Sequence, residues 1–495
     1  MNVEALRKDL KLHCQGGYSL DVDQLRTYSQ DESIFELMPK VVVFPKDEKD
    51  LGALIDIASF HRLHMTPRGG GTGVAGQSIG NGMIVDFSRW MNALIEVDGN
   101  HAWVQPGIVL SQLNRMLEPQ GLWFAPDPGS KDRCTLGGMV STNASGPHKA
   151  HYGDTRKNIL DLYWHSMQGH GWLLDAKNVL KDLQKQLQPF RQFIQSSKPN
   201  VKKNSSGYFL ENIFSSSANL VEVAVGSEGT LGFCSAIRCL LHPIPPQRTF
   251  AIYSFSQLSL ALEFVSELLQ TDPSAVELVD PWITLALTSD DPALMRELGL
   301  EQSQASLWVE WECNPSFQPS MKPSFVTSDK LLMKRIWGLR SRASTIIHAQ
   351  AKDRQPLRCI EDACVPVDRM VGYVDRVQKL LKKHDCEGPI FGHVGDGHLH
   401  INPQIDVGKE NLRARVQSLM EEFYLMVLEC GGTISGEHGD GILRSAYTQK
   451  QWSHQWLAFE VVKQFFDPKC LFNPGKIIPV EKSFFPLKSV FDPHP

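Results

Sequence analysis

The sequence predicts an α+β protein of more than one domain, and three observations carry that reading. Three glycine-rich stretches follow one another at 69–76, 126–153 and 226–232, each beside an apolar run short enough to be a strand. After the proline-rich run 241–246, strand-like and helix-like patterns alternate, as expected of an antiparallel sheet carrying helices on one side. The chain has 495 residues, enough for two or three domains with substantial cores.

Taken in order, residues 1–35 read as a helical lead-in. Val41-Val42-Val43-Phe44 is a short buried strand stopped by Pro45, and a helix follows over 49–62. Further strands are expected at 83–87, around Trp103-Val104 and at 236–241, with a helix over 111–120. Beyond 246 the pattern gives strands at 249–255, 275–279 and 307–312, a helix over 258–270 and one long helix over 330–347. The domain expectation is therefore a lead-in (1–35), a first domain (36–246), a second (247–430), a C-terminal return segment (431–480) and a tail (481–495).

Composition narrows the function. The apolar fraction of 42% and charged fraction of 21% are ordinary for a globular chain. A net charge of -5 offers no basic face for nucleic acid, and no apolar run approaches a membrane span. The segment 1–13 is charged and amphipathic with no signal-peptide core, which points to the cytoplasm or the periphery of the inner membrane. The ten cysteines contain no Cys-x-x-Cys pair, so an iron–sulfur cluster or zinc ribbon lacks its ligand spacing.

The stretch Thr66-Pro67-Arg68-Gly69-Gly70-Gly71-Thr72-Gly73-Val74-Ala75-Gly76-Gln77-Ser78 carries the first chemical signal. Five glycines in eight positions are entropically costly unless backbone amides must converge on something negative. A flexible linker is the bland reading, but ordered patterns flank the run closely on both sides. It lacks the Gly-Lys-Ser/Thr ending of a nucleoside-triphosphate loop and does not open a helix as a dinucleotide fingerprint does. A diphosphate held by amides remains. In the second stretch, Gly137-Gly138 allows close approach to a flat ligand, and Ser141, Thr142 and Asn143 add hydrogen bonding.

The second signal lies near the C-terminus. Phe391-Gly392-His393-Val394-Gly395-Asp396-Gly397-His398-Leu399-His400-Ile401-Asn402 places three histidines within eight residues. On an extended strand His398, His400 and Asn402 share a face, and the Gly-Asp-Gly turn can fold His393 back towards His400. Glu437-His438 follows about forty residues on. Two imidazoles and a carboxylate match a catalytic divalent-metal site, whereas isolated His101, His148, His170 and His384 read as structural or surface residues. Such a ligand set suits Zn, Mn, Fe or Co.

Together these motifs resemble a known family. Pro67–Gly73, Thr135-Leu136-Gly137-Gly138-Met139 and Gly226-Ser227-Glu228-Gly229-Thr230-Leu231-Gly232 look like the flavin domain of the vanillyl-alcohol-oxidase and p-cresol-methylhydroxylase superfamily. The stretch from Phe391 to Lys476 is similar to the FAD-linked D-2-hydroxy-acid dehydrogenases, through Gly392–His400, Glu437-His438-Gly439 and Asn473-Pro474-Gly475-Lys476. The resemblance implies a two-subdomain FAD-binding domain and an antiparallel, ferredoxin-like cap. It puts the FAD diphosphate on Arg68, Gly69, Gly70, Gly71, Thr72, Gly73, Gln77 and Ser78. The rest of FAD would lie against Pro126, Asp127, Thr135, Gly137, Gly138, Ser141, Asn143, Ser145, Glu228, Gly229, Leu231 and Asn473. No histidine lies in 69–78, so non-covalent FAD is expected, with Cys134 standing where a few relatives add a cysteinyl link.

Position by position, the resemblance makes His393, His400 and Glu437 the metal ligands, Asn402 and His438 substrate-facing with His438 as base, and Arg340 the carboxylate-binding arginine. The implied reaction is oxidation of a D-2-hydroxy acid, D-lactate or D-2-hydroxyglutarate first, to the 2-oxo acid. The implied electron acceptor is a quinone, a cytochrome or a separate iron–sulfur protein. An oxidase using oxygen and a non-catalytic flavin-binding subunit are the alternatives. Two departures stand out. Position 398 is His where the family usually has Asn, which adds a ligand or donor. The 358–366 stretch lacks a lysine found in some hydroxyglutarate enzymes, leaving Arg358 or Lys352 to meet a second carboxylate. The Glu361-Asp362 and Glu437–Gly441 variants look most like a subgroup fused to an iron–sulfur region, and with the sequence stopping soon after Phe472–Lys476 such a region is expected on a separate chain.

Overall fold

Val41-Val42-Val43 is β-branched throughout and fully buried, the composition of a central strand. A computed structural model describes residues 2–174, 176–300, 305–312, 319–351, 354–480, 485–489 and 491. In it, Val41–Val43 pairs in parallel with Met83–Asp86, which pairs in parallel with Met65–Arg68; Tyr18–Ser19 adds an antiparallel edge. Helix Glu48–His61 makes the crossover. The Asp47 side chain accepts from the Lys49 and Asp50 amides at its start, and Arg62 in the left-handed region ends it. The glycine run leaves from the carboxyl end of Met65–Arg68, a strand the sequence pattern hid because Pro67 interrupts it.

A second sheet is antiparallel, in the order Leu94–Asp98, His101–Val104, Phe233–Leu240, Ile159–Ser166 and Gly169–Leu173. The second glycine stretch runs into helix Leu136–Thr142, capped by the Thr135 hydroxyl, and the third turns into Phe233–Leu240. A Cβ on Gly69 would stand 2.0 Å from Thr135 Oγ1, so the first two loops touch only because that position is glycine.

The third sheet, Ala275–Val279, Ala305–Trp311, Thr249–Phe255 and Phe325–Thr327, is antiparallel as expected. Helices cover both of its faces rather than one. Ala251, Tyr253, Leu307 and Val309 pack with helices Leu258–Leu268, Met370–Lys383 and Leu412–Glu429. Phe250, Ile252 and Trp308 pack with Pro281–Asp290 and Lys330–Ser341 on the other side. The apolar, non-alternating strands already carried that information, because a half-solvated sheet alternates. The expected single helix over 330–347 breaks at Arg342 into Lys330–Ser341 and Ala343–Gln350.

Helix Trp456–Phe466 packs back against residues from the N-terminal half of the chain. Trp456, Phe459 and Phe466 of helix Trp456–Phe466 join the core containing Tyr208 and Leu220, and the Asn473 amide donates to the Met65 carbonyl at 2.7 Å. Among the described residues no helix is long and apolar enough to cross a membrane.

Candidate active site

A cavity of about 930 Å³ separates the glycine loops from the third sheet. That volume is at the upper end for cofactor and ligand sites. Gly69–Gly73, Gly137, Gly138, Gly229 and Gly232 form one wall; Arg340, Phe391, His393, His400, Asn402, Glu437 and His438 form the facing one. The first wall suits a large, flat, anionic group: it combines backbone amides with little side-chain obstruction.

Local folding explains the facing wall. Ile390–Phe391 pairs with His400–Ile401, and the tight Val394–Asp396 turn between them ends at Gly397 in the left-handed region. A Cβ on Gly397 would stand 2.0 Å from the Val365 carbonyl, so no other residue lets this turn dock. The turn brings the rings of His393 and His400 to 5.3 Å between centroids.

Their second nitrogens are occupied in a way that bares the first. His393 Nδ1 bonds Glu277 Oε1, and His400 Nδ1 donates to the Glu361 carbonyl at 3.1 Å. Both Nε2 atoms turn to Glu437 Oε1, at 3.1 Å for His393 and 3.6 Å for His400. Such outer partners fix tautomer and orientation in metal sites. The other oxygen of Glu437, Oε2, accepts from Lys203 Nζ at 2.8 Å and Ser145 Oγ at 2.7 Å. Burial favours the neutral acid, but Lys203, His393 and His398 hold the Glu437 carboxyl well below its usual range. Burial, with His398 and His393 nearby, keeps the His400 imidazole neutral by pushing it well down. Burial lowers His393, but Glu277 outweighs it and raises that imidazole, so without metal its Nε2 donates to Glu437 and a divalent cation would take the place of that proton.

A second acidic group, Glu361 and Asp362 with His400 and His438, has the same ligand types. Buried Arg444 offsets one of its two carboxylate charges: its guanidinium donates to Glu361 Oε1 and lies 4.0 Å from Asp362 Oδ2. This group works on His438 instead. His438 Nδ1 donates to Glu361 Oε2 at 2.5 Å and lies 3.2 Å from Asp362 Oδ1. Burial lowers that imidazole, but the two carboxylates win and raise it to about 9. Its Nε2 stands 3.8 Å from Glu437 Oε1.

Arg340 reaches the cavity from helix Lys330–Ser341. Its Nη2 donates to Glu277 Oε2 at 2.7 Å, and its guanidinium lies 4.9 Å over the Phe391 ring. Burial raises Glu277, while His393 and Arg340 outweigh it and lower the carboxyl to about 2. Glu277 thus ties the arginine to a histidine of the cation site. Asn402 lines the same cavity, and Arg358 lines it while bonded to Glu32 and Ser344. Lys352 lies outside the described residues.

Arg68, Gln77, Ser78, Asp127, Ser145 and Glu228 line the cavity and also bond within the protein. The Arg68 guanidinium donates to the carbonyls of Gln30 at 2.8 Å and Ser78 at 3.2 Å, so it braces the loop and leaves a diphosphate to the amides. Gln77 Nε2 donates to the His438 carbonyl, and Ser78 Oγ to Asp31. Asp127 bonds His148, Ser145 bonds Glu437, and the Glu228 carboxylate accepts from the Asp440 and Gly441 amides. Thr72, Thr135, Ser141 and Gly229 line the cavity as expected; Pro126, Asn143, Leu231 and Asn473 are not in its wall. Leu231 is core, and Asn143 accepts from the Arg156 amide at 2.8 Å. Asn473 Nδ2 donates to the carbonyls of Gln77 at 2.9 Å and Glu228 at 2.7 Å, clamping the first and third loops together. Burial pushes the Cys134 thiol up to about 11, away from a reactive thiolate.

Glu277, Lys203, Glu361, Asp362 and Arg444 were not singled out as functional by sequence. A glutamate inside the apolar strand Ala275–Val279 is a readable signal for the first. The others become visible only through long-range packing.

The class now follows: this is a flavoprotein of the p-cresol methylhydroxylase fold. Residues 39–170 match the model "FAD binding domain" and residues 244–477 the model "FAD linked oxidases, C-terminal domain". Substrate-bound p-cresol methylhydroxylase superposes with a TM-score of 0.70 at 11% identity, over 97% of this chain and 98% of that one, which supports the fold alone. More particularly, the chain belongs to the FAD-linked oxidase family that includes D-2-hydroxy-acid dehydrogenases. It is 30% identical to D-2-hydroxyglutarate dehydrogenase of Haemophilus influenzae, over 97% of this chain and 52% of that protein. It thus spans about half the length of that relative. Glycolate oxidase subunit GlcD of Bacillus subtilis is 26% identical, with 91% of each chain covered.

Proposed function

We propose that this protein is an FAD- and divalent-metal-dependent dehydrogenase that oxidises a D-2-hydroxy acid to the 2-oxo acid. D-2-hydroxyglutarate and D-lactate are the leading substrates, and electrons pass to a separate carrier. In this reading residues 36–246 hold the flavin, 247–430 form the cap, and 431–480 return to complete the site. His393, His400 and Glu437 hold the cation. The observation that carries the proposal is the convergence of His393 Nε2 and His400 Nε2 on Glu437 Oε1 in the cavity that the glycine loops also line.

When bound, the flavin supplies a two-electron acceptor, and the cation supplies a charge that acidifies a hydroxyl beside it. Arg340 receives the substrate carboxylate; with one nitrogen fastened to Glu277, its orientation is set before substrate arrives. His438 Nε2 takes the hydroxyl proton while Glu361 retains the Nδ1 hydrogen bond. Without metal the two carboxylates raise this imidazole to about 9; positive charge held by His393, His400 and Glu437 would oppose that rise and favour the neutral base. Asn402 adds a polar contact from the strand end, and Phe391 excludes water beneath Arg340.

The test is anaerobic bleaching of the flavin across D-lactate, glycolate, D-malate and D-2-hydroxyglutarate. Bleaching by at least one acid is the expected result. A flavin that stays yellow with all of them contradicts the proposal and favours a binding subunit.

A further inference from the structure

We infer that His398 is a third nitrogen ligand of the cation held at Glu437, binding through Nδ1. This chain then presents three imidazoles and one carboxylate where the family pattern supplies two imidazoles and one carboxylate. The inference rests on the metal reading proposed above.

His398 is fully buried. Its Nε2 lies 2.9 Å from Asp362 Oδ1, and Asp362 also accepts from Ser435 Oγ at 2.6 Å and the His438 amide at 2.9 Å. A carboxylate so surrounded by donors is ionised and can only accept, so the imidazole proton resides on Nε2. Nδ1 therefore carries a lone pair. Among the described residues that nitrogen is buried with no hydrogen-bond partner. It stands 3.9 Å from Glu437 Oε1, the oxygen on which His393 and His400 already converge.

A bare nitrogen lone pair buried opposite a carboxylate oxygen is costly, because neither atom can donate to the other. Buried His165 also leaves its Nδ1 without a partner; what sets His398 apart is that its bare nitrogen faces the carboxylate oxygen on which two other imidazoles converge. A cation between the two atoms removes the conflict. The four candidate ligand atoms of His393, His398, His400 and Glu437 all lie within 4.8 Å of one another. Atoms about 2.1 Å from a shared cation stand about 4.2 Å apart when trans and about 3.4 Å apart at a tetrahedral angle, so the set needs to contract by at most about an ångström and a half. His438 is the other nearby imidazole, but its side chain is 30% exposed and faces the cavity, which leaves it free for the proton. Four protein ligands still leave a fifth position for a substrate oxygen.

The experiment uses the flavin-loaded protein, stripped with a chelator and refilled with Co(II). Its readouts are the visible ligand-field spectrum and Co(II) affinity measured against a competing chelator. In the wild type, three hyperfine-shifted, exchangeable imidazole N–H resonances are expected, and two would overturn the inference. His398→Ala and His398→Asn should weaken Co(II) binding more than tenfold and alter the spectrum while FAD content is unchanged. An unchanged affinity and spectrum in these variants, with the metal lost in His393→Ala, leaves a two-histidine site and overturns the inference alone. A wild type that takes up no stoichiometric metal overturns both this inference and the metal reading beneath it.

Discussion

Lys203 Nζ lies 2.8 Å from Glu437 Oε2, with both side chains buried, so the carboxylate expected to hold a cation through one oxygen is neutralised at the other. This pairing explains how Glu437 stays ionised in a closed site before metal arrives. Replacing Lys203 with Met leaves a buried charge unpaired, which costs about 3–5 kcal/mol. The expected outcome is a lowered melting temperature in chelated protein that divalent metal largely restores. Equal melting temperatures with and without metal would show that Glu437 does not face the cation.

His438 and Glu361 form the proton-handling pair. His438→Ala should slow anaerobic flavin reduction by about 10²–10⁴-fold, the usual range for a general base, with little change in substrate dissociation constant. Glu361→Gln should slow the same step less. A change confined to the Michaelis constant would remove the base assignment.

Arg340 is expected to grip the substrate carboxylate through the part of its guanidinium that Glu277 leaves free. Lysine keeps the charge but loses the planar fork, so Arg340→Lys should raise the substrate dissociation constant on the order of tenfold to a hundredfold. Unchanged binding of a 2-hydroxy acid in that variant would place the carboxylate elsewhere.

His148 joins the two sides of the cavity: Nδ1 lies 2.7 Å from Asp127 and Nε2 2.9 Å from Glu310. Burial lowers the imidazole, but the two carboxylates overcome it and raise it to about 10. A folded value above the unfolded value of about 6.5 gives a contribution present in full below that pH and lost as pH rises through about 10. The melting temperature of the wild type should therefore exceed that of His148→Gln most at pH 6, and the gap should narrow towards pH 10. A gap independent of pH would mean that His148 is neutral in the fold.

Much of this was legible in the sequence because the signals were local. The glycine cluster at 69–76 is too costly to stand where backbone need not come close to something, and His393, His400 and the intervening Gly397 encode their own turn. Arg340, Asn402 and His438 reach the cavity as expected, and the antiparallel third sheet follows from its strand runs. Other features depend on distance. Lys203 meets Glu437 across 234 positions, and Arg444 meets Glu361 across 83, with no periodicity that announces either contact. Ser145 lines the cavity as its polar motif suggests, with its hydroxyl on Glu437, whereas the Asn473 side chain clamps two loops outside the cavity wall. Covering of the third sheet on both faces is written in its strands, which lack the alternation of a half-solvated sheet.

Rapid anaerobic mixing of the flavin-loaded protein with D-2-hydroxyglutarate and with D-lactate, before and after chelation, tests the cation–flavin arrangement most directly. The metal-loaded protein is expected to lose its flavin absorbance with at least one of them. The chelated protein should keep both its FAD and its yellow colour, and recover reduction when metal is returned. Equal reduction rates in the loaded and chelated protein would contradict the assignment of His393, His400 and Glu437 to a catalytic cation.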